Sequence, residues 1–311
     1  MSNPPGATAP SSPTSAPVVR PPLARVVLVT GKGGVGKTTI SAGLAVAQAA
    51  LHGRAALVEF GDGESGARAL GKQRGVDHIV IKPEEALTRA ASPLFGSGLF
   101  AKLALGNFAV KRMLKAAPAL RELAMLECIR LVAADKPSRH VIVDMPATGH
   151  GIAWLRVPKQ LREVSQVGPF FELCDRVVRE LVSPGRCSPV VVTLPERLVL
   201  KETLELCEAM ENIVGLPAAR LIVNRMPSEI AHEAVVEARR LGDGKLPLAA
   251  AARALAEVLG AREASRADAL SALDDAKTSG PALVPVLVQE WPIDPSAQQV
   301  ADWLQAGGAL P

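Results

Sequence analysis

GKGGVGKTT occupies residues 31–39 of the chain, and the expected fold class follows from this short motif. It contains the pattern G-x-x-x-x-G-K-[ST], whose glycines allow successive backbone N–H groups to point at phosphate oxygens. We expect Lys37 to reach the β- and γ-phosphates of a nucleotide and the Thr38 hydroxyl to ligate Mg²⁺. The motif therefore predicts a loop that binds a nucleoside triphosphate.

The residues around this loop are those that a phosphate-binding loop requires. Residues 26–29 form an apolar run that predicts a buried strand. After the loop, Ile40, Leu44, Ala47 and Leu51 recur on one face of a predicted helix, which Gly53 is placed to end. A glycine-rich surface turn would need neither element, so the phosphate-binding interpretation is preferred.

Short apolar runs alternate with helical patterns along the rest of the chain. Further strands are predicted at residues 55–58, 76–81, 140–143, 189–192, 221–223 and 284–288. This alternation predicts an α/β fold, a doubly wound and mostly parallel sheet of the P-loop NTPase type. Ligands of such sheets bind beyond the carboxyl ends of the strands, where the motifs of this chain lie.

Two segments depart from this rhythm. Residues 1–23 are rich in Pro, Ser and Ala and predict a disordered tail before a nucleotide-binding domain at 24–311. Residues from about 83 to 134 favour helix and contain no clear strand, which predicts a helical insertion beside the nucleotide site. We interpret most of its apolar side chains as core, with a minority available for a partner groove.

Composition excludes several classes of protein. The chain has 48% hydrophobic residues, a net charge of +4 and no long run of like charges, so no nucleic-acid partner is expected. We also expect no signal peptide and no transmembrane segment. The four cysteines are widely spaced and form no C-x-x-C pair, which indicates reduced, mostly buried thiols in a cytoplasmic protein.

A second motif follows the predicted strand at 140–143. Asp144 ends that strand beside the phosphate-binding loop, where a carboxylate can hold the Mg²⁺ shell through water. The chain then reads Asp-x-x-x-Thr-Gly-His at 144–150, Leu-Arg-Val-Pro at 155–158 and Val-Asn-Arg at 223–225. With these motifs the chain resembles the ArsA family of ATPases, the group of the arsenite-pump ATPase and the eukaryotic tail-anchored-protein targeting ATPase. The resemblance covers roughly residues 25–292.

The resemblance implies a face-to-face dimer that binds ATP and Mg²⁺. Lys32 would reach the phosphates of the partner subunit in trans, where a cation stabilises developing charge. Residues 144–150 would form switch II, and Asn224 would contact adenine, although a simple strand-terminal turn residue is the alternative for Asn224. The predicted nucleotide-binding residues are Gly33, Gly34, Val35, Gly36, Lys37, Thr38, Thr39 and Asn224, with Thr38 and Asp144 at the metal.

One departure from the family pattern leaves two interpretations open. The family usually has an Asp after the second strand to position the attacking water, but here Gly61 falls at that place and Asp62 comes one residue later. Either Asp62 substitutes as a catalytic residue, or the chain binds ATP and hydrolyses it poorly.

The sequence also leaves open which protein this chain assembles with. A dimeric ATPase that couples its nucleotide state to an unknown protein client is preferred, as a homodimer or as a heterodimer with a related ATPase. The alternative is a hydrolysis-deficient regulatory subunit in such a heterodimer. Scattered cysteines give little support to arsenite capture or a zinc-bridged dimer. A positioning ATPase on nucleoid or membrane would need a basic surface segment, which the chain lacks.

Overall fold

A computed structural model of the chain describes residues 20–91, 118–146, 151–164, 167–229, 232–244, 248–277, 283–291 and 293–310. Within these ranges seven strands form one sheet. They are β1 (Val26–Thr30), β2 (Ala55–Phe60), β3 (Val76–Ile81), β4 (His140–Asp144), β5 (Cys187–Thr193), β6 (Arg220–Met226) and β7 (Val286–Gln289). Their order is β3-β2-β4-β1-β5-β6-β7, and all neighbouring strands are parallel. The predicted α/β fold with a parallel sheet is confirmed.

Helices connect the strands and cover the sheet. They are α1 (Lys37–His52), α2 (Glu64–Leu70), α3 (Pro83–Ala91), α4 (Pro118–Asp135), α5 (Gly151–Val164), α6 (Pro169–Glu180), α7 (Arg197–Ala209), α8 (His232–Gly242), α9 (Ala249–Lys277) and α10 (Ala297–Ala306). A π-helical turn, Met210–Val214, extends α7. The first helix ends at Gly53, as predicted.

The core lies on both faces of the sheet because successive strand residues point to opposite sides. In β1, Val26 and Leu28 pack with α4 and α5, whereas Val27 and Val29 pack with α1 and α10. Strands buried on both faces need continuous apolar runs rather than alternation. For this reason the central strands could be predicted from apolar runs in the sequence.

The chain changes direction beside β1. After β1 it builds β2, β3 and β4 on one side, then passes β1 to build β5, β6 and β7 on the other. Such a reversal opens a crevice at the carboxyl ends of the central strands. The phosphate-binding loop leaves β1 at this point.

The predicted insertion and tail are described in part. Helices α3 and α4 occupy both described ends of the range 83–134, and Leu123, Met125 and Leu126 of α4 are buried as core. Residues 92–117 and 1–19 lie outside the described residues. Contacts with the domain begin before the predicted boundary at 24, because Arg20 donates to Gly308 O at 2.6 Å and Leu23 is buried.

The described residues contain four free, buried cysteines, and burial raises the pKa of each thiol to about 11 or 12. Buried thiols were expected from their spacing. None of the helices in the described ranges has a segment long and apolar enough to span a bilayer.

Candidate nucleotide site

The loop at 31–36 connects β1 to α1 and has the form that its sequence predicts. A side chain at Gly31 would collide with the backbone oxygen of Val192, so the loop can begin this close to β5 only without one. Gly33 and Gly34 are exposed, Val35 is buried, and Gly36 has φ +90° immediately before α1. Helix N-termini carry free N–H groups and a positive dipole end, which favour phosphate. Thr39 follows in the first turn of α1.

Lys37, Thr38 and Asp144 meet at the carboxyl ends of β1 and β4. The Lys37 ammonium donates to the backbone oxygen of Lys32 at 3.0 Å, which holds it along the loop. The Thr38 hydroxyl donates to Asp144 Oδ2 at 2.6 Å, and Ser41 donates to the other oxygen at 3.3 Å. The residues predicted for phosphate and metal are thus brought together by pairing of Asp144 with Val29 in the sheet.

Burial shifts the pKa values of both charged side chains in this cluster, Asp144 and Lys37. Burial raises the pKa of Asp144 to about 6, although the Thr38 bond and the Lys37 charge oppose the rise. Burial also lowers the pKa of Lys37, and the charge of Asp144 opposes that change. A divalent cation would relieve the cost of the buried carboxylate.

Asn224 lies on the other side of the loop. Its side-chain amide donates to Val35 O at 2.8 Å, and a Cβ at Gly36 would collide with that amide nitrogen. The pairing of β6 with β7 is irregular between Val223 and Met226. Among the described residues, Arg225 is the only non-glycine residue with positive φ, +56°. Asn224 therefore holds the loop, and its predicted contact with adenine stays a prediction.

A cavity of about 330 Å³ opens between these elements. It falls within the range of roughly 300–1,000 Å³ that is usual for small-molecule sites. Its lining residues are Gly34, Gly36, Lys37, Thr38, Glu59, Phe60, Ser65, Asp144, Met145 and Pro146. Glycine backbone, a lysine and a helix N-terminus fit a polyphosphate, and the Thr38 and Asp144 oxygens are ligands that Mg²⁺ prefers. The described residues contain no cluster of three or more His, Cys, Asp or Glu side chains that could hold a metal ion.

Lys32 is not among the described residues that line the cavity. Its ammonium forms an ion pair with Glu202 of α7 at 2.6 Å, and both side chains are about half exposed. Exposed pairs of this kind contribute only about 0–1 kcal/mol, so Lys32 is easily released. Its predicted role in the partner's site stays a prediction.

Gly61 and Asp62 follow β2 at the rim of the site. Gly61 has φ +119°, a backbone conformation that L side chains rarely adopt. An Asp at this position would therefore be strained. Asp62 is exposed, and its Oδ1 accepts a bond from the Glu64 N–H at 3.0 Å at the start of α2. The structure does not bring Asp62 among the described lining residues of the cavity, and its catalytic role stays a prediction.

Sequence reasoning missed Glu59, which lines the cavity from β2. The feature that could have revealed it is a glutamate inside the otherwise apolar segment 55–60, since a buried Glu usually has a partner and indicates a polar site. Residues 147–150, the greater part of predicted switch II, lie outside the described residues.

Comparison with known proteins agrees with this geometry. The family model of the CobQ/CobB/MinD/ParA nucleotide binding domain matches residues 26–251. Two similar proteins are the ATPase BagA of Mycobacterium tuberculosis and a protein of Mycobacterium bovis, Mb3704, that is also named as an ATPase. Each is 31% identical to this chain over 223 residues. These matches cover 65% of this chain and 65% of each relative, so the aligned part is just under two thirds of the relatives' length.

Proposed function

Because the chain belongs to the CobQ/CobB/MinD/ParA nucleotide-binding family, we propose that it is an ArsA-type, Mg²⁺-dependent ATPase that acts as a dimer. ATP binding would order switch II and change the affinity for a protein client. The observation that carries the proposal is the meeting of Lys37, Thr38 and Asp144 in one cavity at the end of β1.

The roles follow from position and charge. Loop N–H groups and Lys37 would hold the phosphates, while Thr38 would ligate Mg²⁺ and Asp144 would bind its water shell. The Thr38–Asp144 bond pre-orients both groups. Lys32 would leave Glu202 to stabilise charge in the partner's site, which a weak exposed ion pair permits.

A regulatory subunit is the second candidate. The observation that favours it is Gly61, which stands where the water-positioning Asp is expected and has a backbone conformation that would strain an Asp. Such a subunit would bind ATP and assemble with a hydrolysis-competent relative. Mixing the two would then yield activity that this chain lacks alone.

Steady-state ATP hydrolysis with Mg²⁺ tests the proposal. We expect Lys37→Ala to lower turnover to the background rate and to weaken ATP binding, because it removes the phosphate-binding ammonium. Lys72→Ala, which removes an exposed lysine, is the matched control and should behave like the wild type. Equal turnover in wild type and Lys37→Ala would reject the enzyme, and ATP binding without turnover would favour the regulatory subunit.

A further inference from the structure

Glu59 is a buried acid that faces the nucleotide cavity. It lies in β2 directly opposite Asp144 of β4, and its side chain is only 8% exposed. The described lining of the cavity includes it together with Lys37 and Thr38. A carboxylate in this position has an electrostatic cost, since it adds to the causes that raise the pKa of Asp144. An apolar residue would bury more favourably in the middle of a sheet.

Two donors fix one oxygen of this carboxylate. The Gly66 N–H of α2 donates to Glu59 Oε2 at 2.8 Å, and His78 Nε2 of β3 lies 3.1 Å from the same oxygen. A Cβ at residue 66 would collide with Oε2, so the helix can approach this closely only because Gly66 has no side chain. Oε1 receives no bond from the described residues, which leaves it available to a molecule in the cavity.

We propose that Glu59 is the catalytic carboxylate that holds the attacking water, in place of the acid expected at residue 61. The inference rests on the proposed ATPase function. Oε1 would accept a hydrogen bond from water, whose oxygen bonds to the γ-phosphorus as the bond from that phosphorus to the β–γ bridging oxygen breaks. The proton passes to Oε1 and then to the released phosphate, and the products are ADP and inorganic phosphate. His78 and Gly66 act as positioning residues.

Reach and rigidity favour Glu59 over Asp62. Glu59 lines the cavity from within β2, and its side chain is one methylene longer than that of the Asp expected at residue 61, which extends its reach into the cavity. Asp62 is exposed and committed to the N-terminus of α2 through Glu64. A water-positioning group must hold its geometry to a fraction of an ångström, which a buried carboxylate with two donors achieves.

Glu59→Gln is the decisive variant because it keeps the shape and the Gly66 bond while removing the charge. We expect its turnover to fall about 100-fold or more, the usual contribution of a catalytic base. ATP affinity, followed by fluorescence of a nucleotide analogue, should change by less than about 3-fold, because water rather than ATP is the ligand lost. After incubation with ATP and gel filtration, Glu59→Gln should retain ATP where the wild type retains ADP.

Glu263→Gln, the same change at an exposed glutamate of α9, is the matched control, and we expect nearly wild-type turnover from it. Asp62→Asn tests the competing acid. His78→Ala should lower turnover partially with unchanged ATP affinity, and His78→Gln, which restores an N–H donor, should recover part of the loss. Thermal unfolding of each variant checks that it folds. The assay uses the chain alone and the chain mixed with a related ATPase.

Four outcomes would overturn the inference. Wild-type turnover in Glu59→Gln, or a loss of turnover in Asp62→Asn alone, would remove Glu59 from catalysis while leaving the ATPase proposal intact. Loss of ATP affinity together with turnover in Glu59→Gln would assign Glu59 to metal or loop support. No hydrolysis by the wild type in either assembly would instead end the hydrolysis proposal, and the role of Glu59 with it.

Discussion

Gly34 and Gly36 have similar left-handed backbones but different surroundings. Gly34 has φ +81°, and apart from its two chain neighbours no atom of the described residues lies within 4 Å of where a Cβ would stand. Gly36 has φ +90°, and a Cβ there would collide with the Asn224 amide that bonds Val35. The first glycine is required by conformation alone, whereas the second is also required by a close approach.

This difference predicts the stability of two variants without nucleotide. Gly34→Ala should lose about 1–2 kcal/mol of unfolding free energy through left-handed strain. Gly36→Ala should lose at least about 1 kcal/mol more, because Asn224 must also move and leave Val35 O unpaired. Urea denaturation measures both.

Asn224→Ala provides the control for the Gly36 variant. It should destabilise the Gly36→Ala protein less than the wild type, because the collision and the lost bond share one cause. Equal losses for the two glycine variants, or additive effects with Asn224→Ala, would show that the contact between Gly36 and Asn224 is unimportant.

At this scale the sequence predicted the residues whose chemistry is local. Lys37, Thr38 and Asp144 meet as expected, since the motif and one strand end specify them. The Glu59–His78 pair and the Lys32–Glu202 pair were not foreseen, because each joins elements whose neighbourhood depends on strand order or helix placement. The positive φ of Gly61 could not be predicted from the residue type either, since glycine adopts positive and negative φ values about equally readily.

Helix α1, which begins at the phosphate-binding loop, is held in place by α10. Gly43 of α1 lies against Val300 and Ala301: a Cβ at residue 43 would collide with Val300 and stand 3.2 Å from the Ala301 nitrogen. Both helices bury their facing side chains on one side of the sheet. The position of the loop therefore depends on a close helix–helix contact at the C-terminal end of the chain.

Gly43→Ala should reduce the free energy of unfolding by about 1–3 kcal/mol, because overpacking outweighs the gain in helix propensity. Combined with Val300→Ala, it should cost less than the sum of the two single changes by on the order of 1 kcal/mol. Gly260→Ala, in the partly exposed interior of α9, is the control: outside its own helix, the nearest described atom to its Cβ is on Arg239, 3.8 Å away. It should stabilise by up to about 1 kcal/mol. Urea denaturation measures the free energy of unfolding of each variant. A Gly43→Ala protein more stable than the wild type would refute the packing argument.

Elements were easier to predict than their ends. The seven strands occur where they were predicted, and the central ones are apolar runs because they are covered on both faces, whereas the edge strand β3 is only partly buried. The last strand begins at Val286 rather than 284, and β6 continues through the irregular Arg225 to Met226. Those ends depend on pairing with neighbours, which local pattern does not contain.

The arrangement of the whole molecule depends on the order of the strands in the sheet, which the sequence patterns do not predict. Placing β4 between β1 and β2 brings Asp144 between the loop and Glu59. The right-handed crossover rule restricts such arrangements without selecting one. The family resemblance supplied the expectation of a dimer, and Lys32, half exposed and loosely paired with Glu202, is the residue that such a dimer would use.

Complementation between two defective variants tests Lys32 in trans. Lys32→Ala keeps its own loop but cannot serve its partner, whereas Lys37→Ala serves its partner but has no working loop. Each should hydrolyse ATP at background alone, and an equal mixture should recover about one quarter of wild-type turnover, because half of randomly formed dimers are mixed and each holds one complete site of two. A mixture of Lys37→Ala with Asp144→Asn should recover nothing, since each of these subunits lacks its own site. Full activity of Lys32→Ala alone, or no recovery in the first mixture, would show that Lys32 does not act across a dimer.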